Sequence, residues 1–150
     1  DVVTEDYGAV LFKMENGAHG MFCASQVSPG RKCHLNFEID GSQASLYWNQ
    51  EVADQMWMGF RDQDNHLVMR NPNLMAAETR QYTYLAAGHP EGWNDAMRAN
   101  VFAFYKFVQE GKRMGVDPGD FATFQEGHYL VKLVESILES NQTRKWISVS

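Results

Sequence analysis

One short stretch concentrates groups that can do chemistry: Gly88-His89-Pro90-Glu91-Gly92-Trp93-Asn94-Asp95. It places an imidazole, two carboxylates, an amide and an indole where a helical pattern begins. Free N–H groups at a helix N-terminus can bind oxygen-rich ligands, so His89, Glu91 and Trp93 are candidates for contact with a hydroxylated molecule. The alternative is that His89, Glu91 and Asp95 only cap and balance the helix. A second candidate is Ser28-Pro29-Gly30-Arg31-Lys32. Arg31 and Lys32 could meet an anion or a hydroxylated substrate, the alternative being a solvated turn.

Other chemistry is missing from the sequence. No G-x-G-x-x-G follows a strand, and there is no P-loop, G-x-S-x-G or H-E-x-x-H. His19, His34, His66, His89 and His128 share no metal-ligand spacing on one helix or hairpin face. His19 and His66 read as solvated, and His128 as a helix-surface or interface residue. A self-contained hydrolase using His89 with Glu91 or Asp95 would need a nucleophile, and none is evident.

The elements that would position these groups are legible in part. Residues 6–27 read as a β-hairpin about Asn16-Gly17, a pair suited to a two-residue type I′ turn. That register sets Phe12 opposite Met21, Val10 opposite Cys23 and Met14 opposite His19. Both hairpin faces are then fairly apolar, which implies that both are covered. Further strands are expected over 34–39, 44–48, 55–60, 66–69 and finally 146–149. Residues 73–88 read as a short strand or an ordered loop. A helix is expected from about Pro90 to Glu110, with a buried stripe of Trp93, Met97, Val101, Phe104 and Val108, stopped by Gly111. A second begins at Thr123-x-x-Glu126, a capping-box pattern. It buries Leu130, Leu133, Val134 and Ile137, and it ends near Ser140-Asn141. Strands followed by helices favour an α+β fold: an open, predominantly antiparallel sheet of about six to eight strands with helices packed on one face.

Composition limits the rest. One hundred and fifty residues suffice for one domain with its own core, and residues 1–150 are read as a single domain. The formal net charge of −6 argues against nucleic acid, which needs clustered cations. No apolar run reaches the ~18 residues of a membrane span. Cys23 and Cys33 read as reduced, small, half-buried residues of a cytoplasmic protein. The first residue is Asp rather than Met, which suggests an excised or trimmed chain.

Five segments in order carry a resemblance. Tyr7-Gly8-Ala9-Val10-Leu11-Phe12 with Asn16-Gly17-Ala18 and Gly20 resembles the hairpin that opens the C-terminal domain of Gfo/Idh/MocA oxidoreductases. Ser25-Gln26 with Gly30-Arg31-Lys32 is similar to that family's "S-Q-x-x-x-G-R-K" turn. Ile39-Asp40-Gly41-Ser42-Gln43-Ala44-Ser45-Leu46 resembles "I-x-G-x-x-G-S-L", with Ala44 where glycine is usual. Gly88-His89-Pro90-Glu91-Gly92-Trp93 matches "G-H-P-E-G-[WY]", and Phe121 with Gly127-His128 resembles "F-x-D-G-x".

The resemblance implies the substrate-binding and oligomerisation domain of an NAD(P)-dependent oxidoreductase acting on a sugar, inositol or similar polyol. The cofactor, NAD or NADP, would be held by a Rossmann domain preceding residue 1. The catalytic residues would also precede it, so this part alone is expected to be inactive, with no catalytic, cofactor or metal residue of its own. Its substrate-facing candidates become His89 and Trp93, with Glu91, Arg31 and Lys32 behind them. A homodimer or homotetramer through the open sheet face is the implied assembly. The competing reading is a non-enzymatic α+β module that dimerises and binds a ligand or protein.

Overall fold

The computed structural model describes residues 3–149. Among them are six strands, β1 Tyr7–Lys13, β2 His19–Ser25, β3 Asn36–Asp40, β4 Ala44–Asn49, β5 Gln55–Phe60 and β6 His66–Met69. Three helices follow, α1 Ala77–Arg80, α2 Trp93–Gln109 and α3 Phe124–Thr143. The fold is α+β and every strand pairing is antiparallel. The strands form two open sheets, a β1–β2 hairpin and a four-stranded meander ordered β3-β4-β5-β6. The chain divides into two compact units, one of the residues up to Lys32 with those from Thr123 onward, the other Cys33–Ala122.

In the first unit the hairpin register is one residue away from that of a type I′ turn. Tyr7 pairs with Ser25, Val10 with Phe22, Leu11 with Met21 and Phe12 with Gly20. Gly17 N–H donates to Met14 C=O at 3.0 Å, and Met14 N–H donates to Ala18 C=O at 2.8 Å. Gly17 has φ of 87°, whereas Asn16 is not in the positive-φ region. The connection is therefore three residues long, a type I turn closed by a left-handed glycine, not the two-residue form. The Asn16 side chain explains the choice: its Oδ1 accepts from Ala18 N–H at 3.0 Å, a local bond of the kind asparagine makes in turns.

A one-residue slip exchanges faces. Gly8, Val10, Phe12 and Gly20 lie half-buried on one side, and a Cβ on Gly20 would overlap the Phe12 ring. Tyr7, Leu11 and Met21 lie on the other side, with Leu11 68% and Met21 75% exposed. Cys23 shares that uncovered side through its pairing with Ala9, and Cys33 is exposed as well, so neither is half-buried.

Helix α3 starts with a complete capping box. Thr123 N–H donates to Glu126 Oε2 at 2.7 Å, and Glu126 N–H donates to Thr123 Oγ1 at 3.3 Å. The helix continues to Thr143 and closes on Arg144 in the left-handed region, φ 59°. Leu133 and Ile137 are half-buried, while Leu130 and Val134 of the expected stripe are exposed. Residues 146–149 form no strand. Trp146 instead lies under the Lys13 ammonium, 4.6 Å from the ring centroid, a cation–π contact that ties this segment to β1.

In the second unit, cross-strand pairs put Phe37, Ile39, Leu46, Trp48, Met56, Met58 and Val68 on one face of the meander. The other carries Asn36, Glu38, Asp40, Ser45, Tyr47, Asn49 and Gln55 beside Trp57. Helix α2 begins at Trp93, three residues after Pro90, because Gly92 is its N-cap. It ends at Gln109, and the expected stop, Gly111 at φ 68°, turns the chain just beyond, with Lys112 N–H donating to Phe107 C=O and Gly111 N–H to Val108 C=O. The side it buries is not the expected stripe. Trp93, Met97, Val101, Phe104 and Val108 are exposed, and the buried residues are Ala103 and Phe107. The cause is the chain that packs against the helix: Phe121 meets Phe107 edge-on at 5.2 Å, and Tyr82 meets Phe102 at 6.4 Å. No helix among the described residues is long and apolar enough to cross a membrane.

Gly17→Ala places a Cβ in a left-handed conformation and is expected to lower stability by about 1 kcal/mol. Thr123→Ala removes one half of the capping box at a similar cost of about 1 kcal/mol. Both are read as shifts in the urea unfolding midpoint at an unchanged slope.

Candidate functional site

The stretch 83–92 is an ordered loop rather than a strand, and it takes its shape from residues at one end of the meander. Asp54 precedes β5 and Arg70 follows β6, and the antiparallel register carries them into line, with Arg70 N–H donating to Asp54 C=O at 2.7 Å. The Arg70 side chain is 10% exposed. Its Nε donates to Asp54 Oδ1 at 2.5 Å, and Nη1 donates to Thr83 Oγ1 at 2.6 Å and Leu85 C=O at 3.0 Å. Nη2 donates to Ala86 C=O at 3.4 Å and to His89 C=O. A guanidinium has five N–H donors, and each has an acceptor here.

Glu91 completes the arrangement. Its Oε1 accepts from Thr83 Oγ1 at 2.9 Å, Tyr84 N–H at 2.9 Å and Leu85 N–H at 2.7 Å. The same oxygen lies 3.6 Å from Arg70 Nη1, and the Glu91 side chain is 11% exposed. The Glu91 N–H points at Asp54, 3.3 Å from Oδ2. One largely buried cation thus stands between two carboxylates, and together they hold the polar backbone of a loop that has no strand partner. Glu91's carboxylate is occupied within the chain.

His89 and Trp93 flank that scaffold. Gly88, φ 83°, turns the chain so that His89 N–H donates to Ala86 C=O at 3.1 Å while its own carbonyl receives Arg70. The His89 side chain is exposed, and Trp93 is 65% exposed. Behind Trp93 the helix start is tied by Asp95, whose Oδ2 accepts from Gly92 N–H at 2.6 Å and whose Oδ1 accepts from the Tyr84 hydroxyl. Those two bonds, the phenol first, hold the Asp95 carboxyl below its usual range, and the same carboxylate raises the Tyr84 phenol. The Arg98 guanidinium stacks 3.6 Å over the Tyr84 ring centroid. Beside the loop is a concavity of about 310 Å³ lined by Pro72, Asn73, Arg80, Thr83, Tyr84, Leu85, Ala86 and Ala87.

Arg31 and Lys32 belong to the other unit. They follow Gly30, φ 89°, in an exposed turn. Ser25 steadies that turn, its Oγ accepting from Val27 N–H at 3.2 Å and Ser28 Oγ at 2.8 Å. His19 and His128 are exposed, and His66 is exposed and lies edge-on to Phe60 at 5.2 Å. His34 is half-buried between Glu51 and Asn36. Elsewhere in the second unit the Tyr82 hydroxyl donates to Asp120, whose carboxylate pushes the phenol up to about 12.

Asp54, Arg70 and Thr83 were not recognisable as a group from sequence. The available signal was the pairing of β5 with β6: extended by one residue, it sets opposite charges across from each other at the end of the hairpin.

No family model matches the chain. Levoglucosan dehydrogenase of Pseudarthrobacter phenanthrenivorans is 24% identical over an alignment of 161 positions that covers 99% of this chain and 37% of that enzyme. An oxidoreductase from Pseudomonas syringae shares the fold with a TM-score of 0.84 at 23% identity, over 97% of this chain and 41% of that one. Levoglucosan dehydrogenase in complex with NADH and levoglucosan gives 0.83 at 22% identity, over 99% and 39%. An inositol dehydrogenase homologue from Azotobacter vinelandii, solved with NADH and myo-inositol, gives 0.64 at 26% identity over 71% and 29%. The chain therefore spans about two fifths of the length of the relatives that match nearly all of it. The resemblance to Gfo/Idh/MocA oxidoreductases carried by the sequence holds along the whole chain.

Arg70→Met leaves the Asp54 and Glu91 carboxylates without their cation. It is expected to cost about 3 kcal/mol or more in urea unfolding at neutral pH, because a lone buried charge is worse than a buried pair. Tyr82 should titrate by phenolate absorbance near 12, and Asp120→Asn should return it toward the ordinary 10.0. Since the folded value lies above the unfolded one, the stability from this bond is fully present below pH 10.0 and is lost as pH rises through about 12.

Proposed function

We propose that this chain is the substrate-side and assembly portion of an NAD(P)-dependent oxidoreductase acting on a sugar, inositol or similar polyol. The observation that carries the reading is the coverage: 99% of the chain corresponds to 37% of levoglucosan dehydrogenase. Its own architecture supports the division. Every strand pairing among the described residues is antiparallel, whereas a dinucleotide fold is built from parallel strands crossed by helices. The nicotinamide cofactor is thus assigned to a separate domain of the longer protein, and hydride transfer requires that domain to bring the nicotinamide against the substrate.

On this reading His89 and Trp93 face the polyol. An exposed indole gives a sugar ring an apolar surface to lie on, and an imidazole supplies a donor or an acceptor to a hydroxyl. Glu91 contributes by holding the loop, and Arg31 and Lys32 are further candidates for hydroxyl contacts. The apolar meander face and the exposed Leu11–Met21 side of the hairpin are the surfaces assigned to self-association. The unpaired cysteines suit a cytoplasmic setting.

Calorimetric titration of NAD(H) and NADP(H) into this chain, and into a longer chain carrying its native upstream sequence, tests the assignment. Binding to the longer chain alone is expected. Binding to neither would favour a non-enzymatic binding module of the same fold, and binding to the present chain would place the cofactor site inside it.

A further inference from the structure

We propose that Arg70, with Asp54, is a positioning residue for substrate recognition: it sets the form in which the 83–91 loop presents His89 and Trp93. This rests on the reading of the chain as the substrate side of an oxidoreductase. Arg70 itself has nothing left to offer a ligand. Its five N–H groups are taken by Asp54 Oδ1, Thr83 Oγ1 and the carbonyls of Leu85, Ala86 and His89. Four of those five acceptors lie on the loop and the fifth lies at the sheet end. The guanidinium is therefore a rigid joint between a stiff element and an irregular one.

The joint acts on the candidate residues through short covalent paths. The carbonyl bonded to Nη2 belongs to His89, so the guanidinium plane fixes the peptide from which the imidazole projects. Glu91, two residues on, is held at 3.6 Å from Nη1 and returns three bonds to Thr83, Tyr84 and Leu85. Trp93 follows after Gly92, whose N–H is tied to Asp95. A lysine keeps the charge of Arg70 but lacks the planar fork, so it cannot bridge Asp54 and four loop acceptors at once. Removing the fork should move His89 and Trp93 relative to the sheet while leaving the sheet intact.

The test uses the full-length protein. Initial rates are measured with NAD⁺ or NADP⁺ and, as probes, levoglucosan, myo-inositol and L-sorbose. For a probe that turns over, Arg70→Lys is expected to raise its KM about tenfold. The KM for the nicotinamide should stay within about twofold, because that cofactor sits on another domain. Thr83→Val, a milder change, should shift the sugar KM in the same direction by less. In both variants the amides of Tyr84 and Leu85 should exchange faster, as their region loses its anchor.

A merely structural role would reduce the fraction of active enzyme, lowering apparent kcat and leaving the sugar KM alone. That result would overturn the positioning role, as would a wild-type sugar KM in Arg70→Lys. If the wild-type protein turns over none of the probes with either cofactor, the oxidoreductase reading fails first and the positioning role falls with it.

Discussion

A guanidinium with five occupied donors, held between two carboxylates, is the interaction on which the candidate site depends. The loop from Thr83 to Gly92 has no regular secondary structure, yet its partly buried N–H and C=O groups still require partners. Strands find theirs in neighbours, and helices find theirs within themselves. This loop finds them in side chains, with Arg70 serving the carbonyls and Glu91 serving the N–H groups. The division follows from chemistry, since arginine only donates and an ionised carboxylate only accepts. Asp54 joins the two by accepting from Arg70 and from the Glu91 backbone. The three form a small polar core that is worth much when complete and costs much when any member is missing.

The apolar surfaces follow a different logic. In the meander, alternation along four strands gathers Phe37, Ile39, Leu46, Trp48, Met56 and Met58 on one side. In α2 the stripe from Trp93 to Val108 has the spacing of a buried face, and yet it is exposed, while the adjacent Ala103–Phe107 side takes the contacts within the unit. A helix with two apolar sides has more to bury than its own unit covers. These surfaces are what the proposed assembly, and the proposed nucleotide-binding partner domain, would act on.

Legibility in the sequence tracked the distance between interacting residues. Thr123 and Glu126 are three apart, and their capping box could be read directly. Gly111 turns the chain just beyond α2, where a left-handed glycine was expected. Arg70 reaches partners 13, 15, 16 and 19 residues away, and no local pattern marks it as different from a solvated arginine. Glu91 shows the same limit from the other side. It was visible as a member of a polar cluster, but whether its carboxylate faced a ligand or the loop depended on contacts outside the cluster. The stripe on α2 shows that periodicity identifies apolar faces without naming the partner. Strands β5 and β6 were legible to the residue, as apolar runs bounded by the polar stretch Arg61-Asp62-Gln63-Asp64 and by Asn71-Pro72-Asn73.

The hairpin illustrates how one bare position can guard folding fidelity. Asn16-Gly17 could close either of two turns, and the strands on either side would tolerate both on hydrophobicity alone. In the observed pairing the Phe12 ring settles over Gly20, which has no side chain to oppose it. In the competing pairing Phe12 would meet Met21 and Gly20 would face Lys13. Gly20 thus works as a key cut for one alignment. A hydrogen atom where every other residue type would put carbon thus adds to the Asn16 bond in favouring the native ribbon over the mispaired one.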